Sequence, residues 1–117
     1  MATGDLTRIN IASGTLTTSL VTYYTIPASR QVVSIHAYFT NNDSSERTFD
    51  LNFIPSGGSS AVGNTLINGT SPATSLASGE TSENHITLFL AAGYLVQAKA
   101  SVSSQIAYFM SFVLEEV

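Results

Sequence analysis

Val32-Val33-Ser34-Ile35-His36-Ala37-Tyr38-Phe39-Thr40 places Val33, Ile35, Ala37 and Phe39 on one side of an extended chain and Val32, Ser34, His36, Tyr38 and Thr40 on the other. A period of two built from β-branched and aromatic residues marks a strand with one face turned to a core. The rhythm continues in both directions. Before this stretch, Leu16, Leu20, Tyr24 and Ile26 fall opposite Thr17, Ser19, Tyr23 and Thr25, and a short first run sets Ile9 and Ile11 around Asn10. After it, Phe49, Leu51 and Phe53 alternate with Thr48, Asp50 and Asn52. Three further runs follow: Ile86, Leu88 and Leu90; Tyr94, Val96 and Ala98; and Ile106, Tyr108, Met110, Phe112 and Leu114. A weak run near Leu66 and Ile67 brings the total to about eight strands.

Turn chemistry separates the runs at Pro27-Ala28-Ser29-Arg30, Asn41-Asn42-Asp43-Ser44-Ser45, Pro55-Ser56-Gly57-Gly58, Ala91-Ala92-Gly93 and Ser101-Val102-Ser103-Ser104. No window sustains the 3.6-residue period of a helix, which disfavours a helical domain or a parallel βαβ sheet. Short strands at this spacing predict an all-β fold, an antiparallel jelly-roll-like or Greek-key β-sandwich of about eight strands. The alternation fades over residues 56–84, rich in Gly, Ser, Thr and Asn. This stretch reads as a long surface loop that crosses the sandwich and carries one or two short strands. Residues 1–8 contain Gly4, Asp5 and Arg8 with Leu6 as their large apolar side chain, and read as a flexible arm that orders on a neighbour. Residues 9–117 then form a single sandwich domain.

Composition narrows the function. The chain has 117 residues, 44% of them apolar and 10% charged, with no cysteine and a formal net charge of −4. Its length supports a core without cross-links. The absence of cysteine removes disulfide frameworks, thiolate metal sites and thiol nucleophiles together. Four dispersed cations cannot build the basic stripe that a nucleic acid requires, so nucleic acid is not expected as a partner. Ser and Thr, 17 and 14 in number, carry the solubility that charge does not. Met1-Ala2-Thr3-Gly4-Asp5 lacks the basic start and apolar segment of a secretion signal. The longest apolar stretch, Ile106 to Leu114, is about half of what a membrane-spanning helix needs. No membrane association is expected.

The last run differs from the others because both of its faces are apolar. Ala107, Phe109 and Val113 lie opposite Ile106, Tyr108, Met110 and Phe112. Two readings stay open. It is a central strand covered on both sides, or the face of Phe109 and Val113 is a subunit contact, since an apolar patch seldom stays bare. On the second reading Leu6, from the arm, joins Phe109 and Val113 as an interface residue of a homo-oligomer.

Residues that could carry chemistry have simpler roles. Glu80, Glu83 and His85 supply donors suited to zinc, but their spacing matches no metal motif, and His36 shares the less apolar face of its strand with Ser34. Asp43, Glu46 and Asp50 cluster as some calcium ligands do, yet Arg47 sits among them and the central glycine of a calcium loop is missing. The eight acids lie in loops, at chain ends or on polar strand faces, not as the paired carboxylates of a glycosidase. The serines form neither a Gly-x-Ser-x-Gly elbow nor a Ser-x-x-Lys motif. Ser56-Gly57-Gly58-Ser59 has no adjacent Lys or helix start to cradle a phosphate. Asn42-Asp43-Ser44 and Asn68-Gly69-Thr70 match the glycosylation pattern without a secretion signal beside them. No catalytic residue, cofactor or metal is expected.

From Ile26 onward the order Ile26-Pro27-Ala28, Val32-Val33-Ser34-Ile35-His36, Arg47-Thr48-Phe49-Asp50-Leu51, Ile54-Pro55-Ser56-Gly57-Gly58, Asn64-Thr65-Leu66 and Ala91-Ala92-Gly93-Tyr94-Leu95-Val96 resembles a family of small all-β virion structural proteins of tailed bacteriophages. The similarity runs from about Thr15 to the C-terminus and is carried by turns and core positions. The resemblance implies a virion component assembled in the host cytoplasm: a capsid decoration or cement protein, or a tail or fibre module. Its implied partners are further copies of itself, as a trimer at a shell's threefold positions, and the major capsid protein or tail proteins. A carbohydrate-binding β-sandwich is the alternative from a different class, with Tyr23, Tyr24 and Tyr94 stacking on sugars.

Overall fold

In the computed structural model, residues 4–55 and 74–117 are described, and the alternating runs form eight strands among them. These are β1 (Leu6–Thr15), β2 (Val21–Thr25), β3 (Arg30–Asn41), β4 (Arg47–Ile54), β5 (Thr74–Leu76), β6 (Thr81–Leu90), β7 (Leu95–Ala100) and β8 (Ile106–Glu116). They make two four-stranded sheets, ordered β1-β8-β3-β6 and β2-β7-β4-β5. The pairs β1–β8, β2–β7, β3–β6 and β4–β5 are all antiparallel, so each strand meets the one whose number completes nine. That is a long hairpin rolled up on itself, with β3–β8 and β4–β7 closing the two sheets. The sandwich is therefore a jelly roll.

The core lies between the sheets. Phe49, Leu51 and Phe53 of β4 meet Ile35, Ala37 and Phe39 of β3, with Ile106, Met110, Phe112 and Leu114 of β8 and Val96, Ala98 and Ala100 of β7 completing the cluster. Phe39 stacks on Phe49 with ring centroids 4.3 Å apart, and Tyr24 stacks on Phe112 at 5.0 Å, so aromatic contacts join one sheet to the other. Asn41 is fully buried at the end of β3, where its amide donates to the carbonyls of Ser45 and Leu76 and accepts from the Asp43 backbone. A buried amide satisfied in this way fixes the predicted turn that crosses from one sheet to the other. The expected break at Ala91-Ala92-Gly93 is also present: Gly93 adopts φ +90°, a conformation that glycine alone takes freely, and donates to the Ile26 carbonyl.

Several expectations change in the structure. Residues 4–8 are not a free arm: Leu6, Thr7 and Arg8 pair with Glu115, Leu114 and Val113, and the Gly4 amide donates to the Glu116 carbonyl. β8 supplies the backbone partners of this edge stretch, so its pairing does not depend on large apolar side chains. The run from Leu16 to Ile26 is not one strand, because the chain turns between β1 and β2. A register shift between Thr22 and Tyr24 then lets Tyr23 and Tyr24 both pack against the core. A second shift, between Val32 and Ser34, buries Val32 and leaves Val33 half-buried, the reverse of strict alternation. The loop expected over 56–84 already contains β5 and the start of β6, and the crossing between sheets falls between those two strands. Its section 56–73, with Leu66 and Ile67, lies outside the described residues. The far side of β4 is not an exposed polar face either, since Asp50, Asn52 and Ile54 are buried along with the inward residues.

Candidate assembly interface

β8 is a central strand of the first sheet, and its inward residues Ile106, Met110, Phe112 and Leu114 are buried. Its other face is not covered by any described residue's side chain to the same degree: Phe109 is 41% exposed, and Ala107 and Val113 are half-buried. The pairing registers arrange this outer face in rows. One row runs Arg8, Val113, Ser34, Thr87 across all four strands. The next holds Ser111, His36 and His85, then come Phe109, Tyr38 and Glu83, and last Thr15, Ala107, Thr40 and Thr81. Leu6 extends the face beyond Arg8 on one edge strand, and Phe89 extends it beyond Thr87 on the other.

The three residues expected at an interface thus share one surface. Leu6 is 63% exposed and Phe109 41%, and Phe89, which alternation leaves opposite Ile86 and Leu90, is 71% exposed. The fourth large apolar side chain exposed among the described residues, Val117, follows the end of β8. In the second sheet the outward residues of β2 and β7 are Thr22, Thr25, Gln97 and Lys99 with half-buried Leu95, and Gln97 donates to Thr22 Oγ1. That sheet also bears a recess of about 330 Å³ lined by polar groups including Thr48, Asp50, Lys99 and Ser101. The exposed large apolar side chains of the described strands, Leu6, Phe89 and Phe109, all belong to the first sheet.

Aromatic groups organise the centre of this face. His36 and His85 are direct cross-strand partners whose rings stack 4.2 Å apart, 19° from parallel. Tyr38 meets the edge of His85 at 5.8 Å and lies 6.3 Å from Phe109. The Tyr38 hydroxyl is 3.1 Å from His85 Nε2, and Glu83 Oε1 is 3.2 Å from the same nitrogen. With its proton on Nε2 the ring donates to the Glu83 carboxylate, and in the other tautomer Nε2 accepts from the Tyr38 hydroxyl. Thr40 and Thr81 share a hydroxyl hydrogen bond of 2.8 Å at the end of the face.

Charge is sparse but ordered. Among the described residues Arg30 pairs with Glu116 at 3.1 Å, Arg47 with Asp43 at 2.6 Å, and Lys99 lies 3.9 Å from Asp50. Arg8, the fourth cation, is exposed on the outer face and forms no ion pair among the described residues. The hydrogen bond from Arg47 holds the Asp43 carboxyl below the usual carboxylate range, with the Ser44 amide assisting.

The other sequence candidates are dispersed. His85 sits within β6, not at a loop junction, and shares its face with Glu83, while Glu80 accepts from the Ala77 amide in the preceding turn. Among the described residues no group of three His, Asp or Glu side chains is arranged to hold a metal ion. Asp43 is engaged by Arg47 and Asp50 faces Lys99 on the second sheet, so the acidic run does not converge. Tyr23 packs on Tyr108 with centroids 4.7 Å apart and Tyr24 on Phe112, and burial pushes both phenols up. Tyr94 also packs against the core, so these three rings form no shared platform. Phe89, Arg8 and the His36–His85 stack escaped the sequence reading. Alternation within the run Ile86, Leu88, Leu90 already put Phe89 outside, whereas the histidine pair depends on a pairing that nothing local encodes.

No protein-family model matches the sequence, and no curated protein matches it. Solved structures share its fold. The tobacco streak virus coat protein, solved as a dimer, superposes with a TM-score of 0.55 at 7% identity, over 97% of this chain and 86% of that one. A protein of the disulfide-linked pili of Bacillus endospore appendages matches with a TM-score of 0.51 at 13% identity, over 100% and 95%. A chain of the cyanophage Pam1 capsid matches with a TM-score of 0.50 at 13% identity, over 98% and 87%. At such identities the likeness is one of fold. The disulfide linkage described for the pili has no counterpart here, because the chain has no cysteine.

Proposed function

We propose that the chain is a non-enzymatic structural subunit of a virion, a capsid decoration or cement protein of a bacteriophage, and that the outer face of β1-β8-β3-β6 is its assembly contact. The observation that carries this reading is the gathering of Leu6, Phe89, Phe109 and Val113 on one outer sheet face, on a fold shared with coat and capsid chains. A patch of this kind on a monomer's surface usually marks an interaction site. A decoration protein acts by mass action: contacts made only in the assembled shell favour the assembled state, and many copies multiply a small gain from each. Low charge and abundant hydroxyls suit contacts made by packing and neutral hydrogen bonds.

A tail or fibre module would use the same face, and the two roles differ in where the copies sit. Gold-labelled antibody against the chain, imaged by negative stain on purified particles, tests the assignment. Label spread over the head supports decoration. Label confined to a vertex or along the tail replaces it with the tail module, and unlabelled particles contradict a virion role.

A further inference from the structure

We infer that the outer face closes on a second copy of this chain as a two-fold pair with strands crossed near right angles, held by reciprocal Arg8–Glu83 contacts. This rests on the reading of that face as an assembly contact and names its occupant. Arg8 stands on edge strand β1 with no ion pair among the described residues, and Glu83 stands on the opposite edge strand, β6, with half-exposed His85 as its partner. Between them the face carries no Asp, Glu, Lys or Arg among the described residues: Val113, Ser111 and Phe109 on β8, then Ser34, His36 and Tyr38 on β3.

The spacing of the two charges is what makes the face self-complementary. They are three strand spacings apart across the sheet, about 14 Å, and four residues apart along it, from the Arg8–Thr87 row to Glu83, again about 14 Å. The line joining them therefore runs at about 45° to the strands, and its midpoint falls between Ser111 and His36, at the centre of the face. A two-fold axis lying in the interface through that midpoint, perpendicular to the line, sets Arg8 of each copy over Glu83 of the other. It turns the strands of one copy by twice that angle, about 90°, which is one of the two packing classes open to stacked sheets. The axis also passes by Thr87, so the two exposed Phe89 rings flank it at that end, one on either side.

One patch meeting itself closes at two copies, whereas the trimer expected from the sequence would require this face to meet a different surface. The overlap of two crossed four-stranded sheets is about 20 Å on a side, smaller than a standard stable interface, so the pair is weak in dilute solution and favoured at the local concentration of a shell.

Sedimentation equilibrium at high concentration tests the pairing, with thermal melts to establish that each variant is folded. Arg8→Glu and Glu83→Arg should each weaken the pair by roughly a hundredfold, about tenfold for each of two reciprocal contacts, and the double variant should recover most of the affinity. Thr87→Cys, in a chain without other cysteines, should crosslink to itself through a short bis-maleimide while Thr81→Cys does not. A wild-type monomer at the highest soluble concentration, or single variants that pair as wild type does, overturns the two-fold pair. If Phe109→Ala nevertheless abolishes particle attachment, the assembly face stands and only its occupant is wrong.

Discussion

Phe109 and Phe112 lie three residues apart on β8 and point to opposite faces of the same sheet, one 41% exposed and the other fully buried against Tyr24. The two positions separate folding from assembly. Phe112→Ala should cost about 3–5 kcal/mol, a large part of the roughly 5–15 kcal/mol available to such a domain, and Phe53→Ala should behave alike. Phe109→Ala should change stability by less than about 1 kcal/mol while reducing self-association. Circular dichroism melts with sedimentation on the three variants check this. If Phe109→Ala unfolds the chain as Phe112→Ala does, that face belongs to the core.

Removing residues 2–8 should destabilise the isolated protein. It deletes the rungs Leu6–Glu115, Thr7–Leu114 and Arg8–Val113 and leaves that stretch of β8 as a bare edge. Net loss of a few backbone hydrogen bonds is worth about 1–3 kcal/mol, which lowers the melting midpoint by several degrees. Calorimetry of the truncated chain is the measurement. An unchanged midpoint would mean that the first rungs contribute nothing to the sheet.

The turn between β3 and β4 should contribute acid sensitivity. Arg47 donates to Asp43 and lowers its pKa in the folded chain. A carboxyl lowered in this way adds stability above its unfolded pKa and loses it as the pH falls through the folded pKa. Arg47→Gln should therefore raise the Asp43 midpoint in a carboxyl-carbon NMR titration and flatten the acid limb of the stability curve. A midpoint that stays in place would deny the Arg47 contact its role.

Strand by strand, legibility followed physics. β4 was plain because Phe49, Leu51 and Phe53 obey strict alternation in an unbulged strand, and β8 because its two apolar faces stand out against a Ser- and Thr-rich chain. Val32 and Tyr23 were misplaced because a bulge moves every later side chain to the other face, and its position depends on the partner strand. Leu6 to Arg8 read as an arm because their pairing is set by β8, about a hundred residues away in sequence. Of the face itself, Phe109 and Val113 could be read from the apolar excess of the last run, and Leu6 as the large apolar side chain of a polar segment. Arg8, Glu83 and the His36–His85 stack could not, since only the jelly-roll topology brings β1, β3 and β6 into one sheet.

Hydroxyl-radical footprinting of the chain free and in purified particles tests the central claim most directly, because it reads both presence in the particle and the surface used. Phe109, Phe89 and Tyr38 should oxidise several-fold more slowly in the particle than in the free chain, while Lys99 and Tyr94, away from the outer face of the first sheet, change little. Equal oxidation of Phe109 and Phe89 in both states, or particles that lack the chain, would contradict the account.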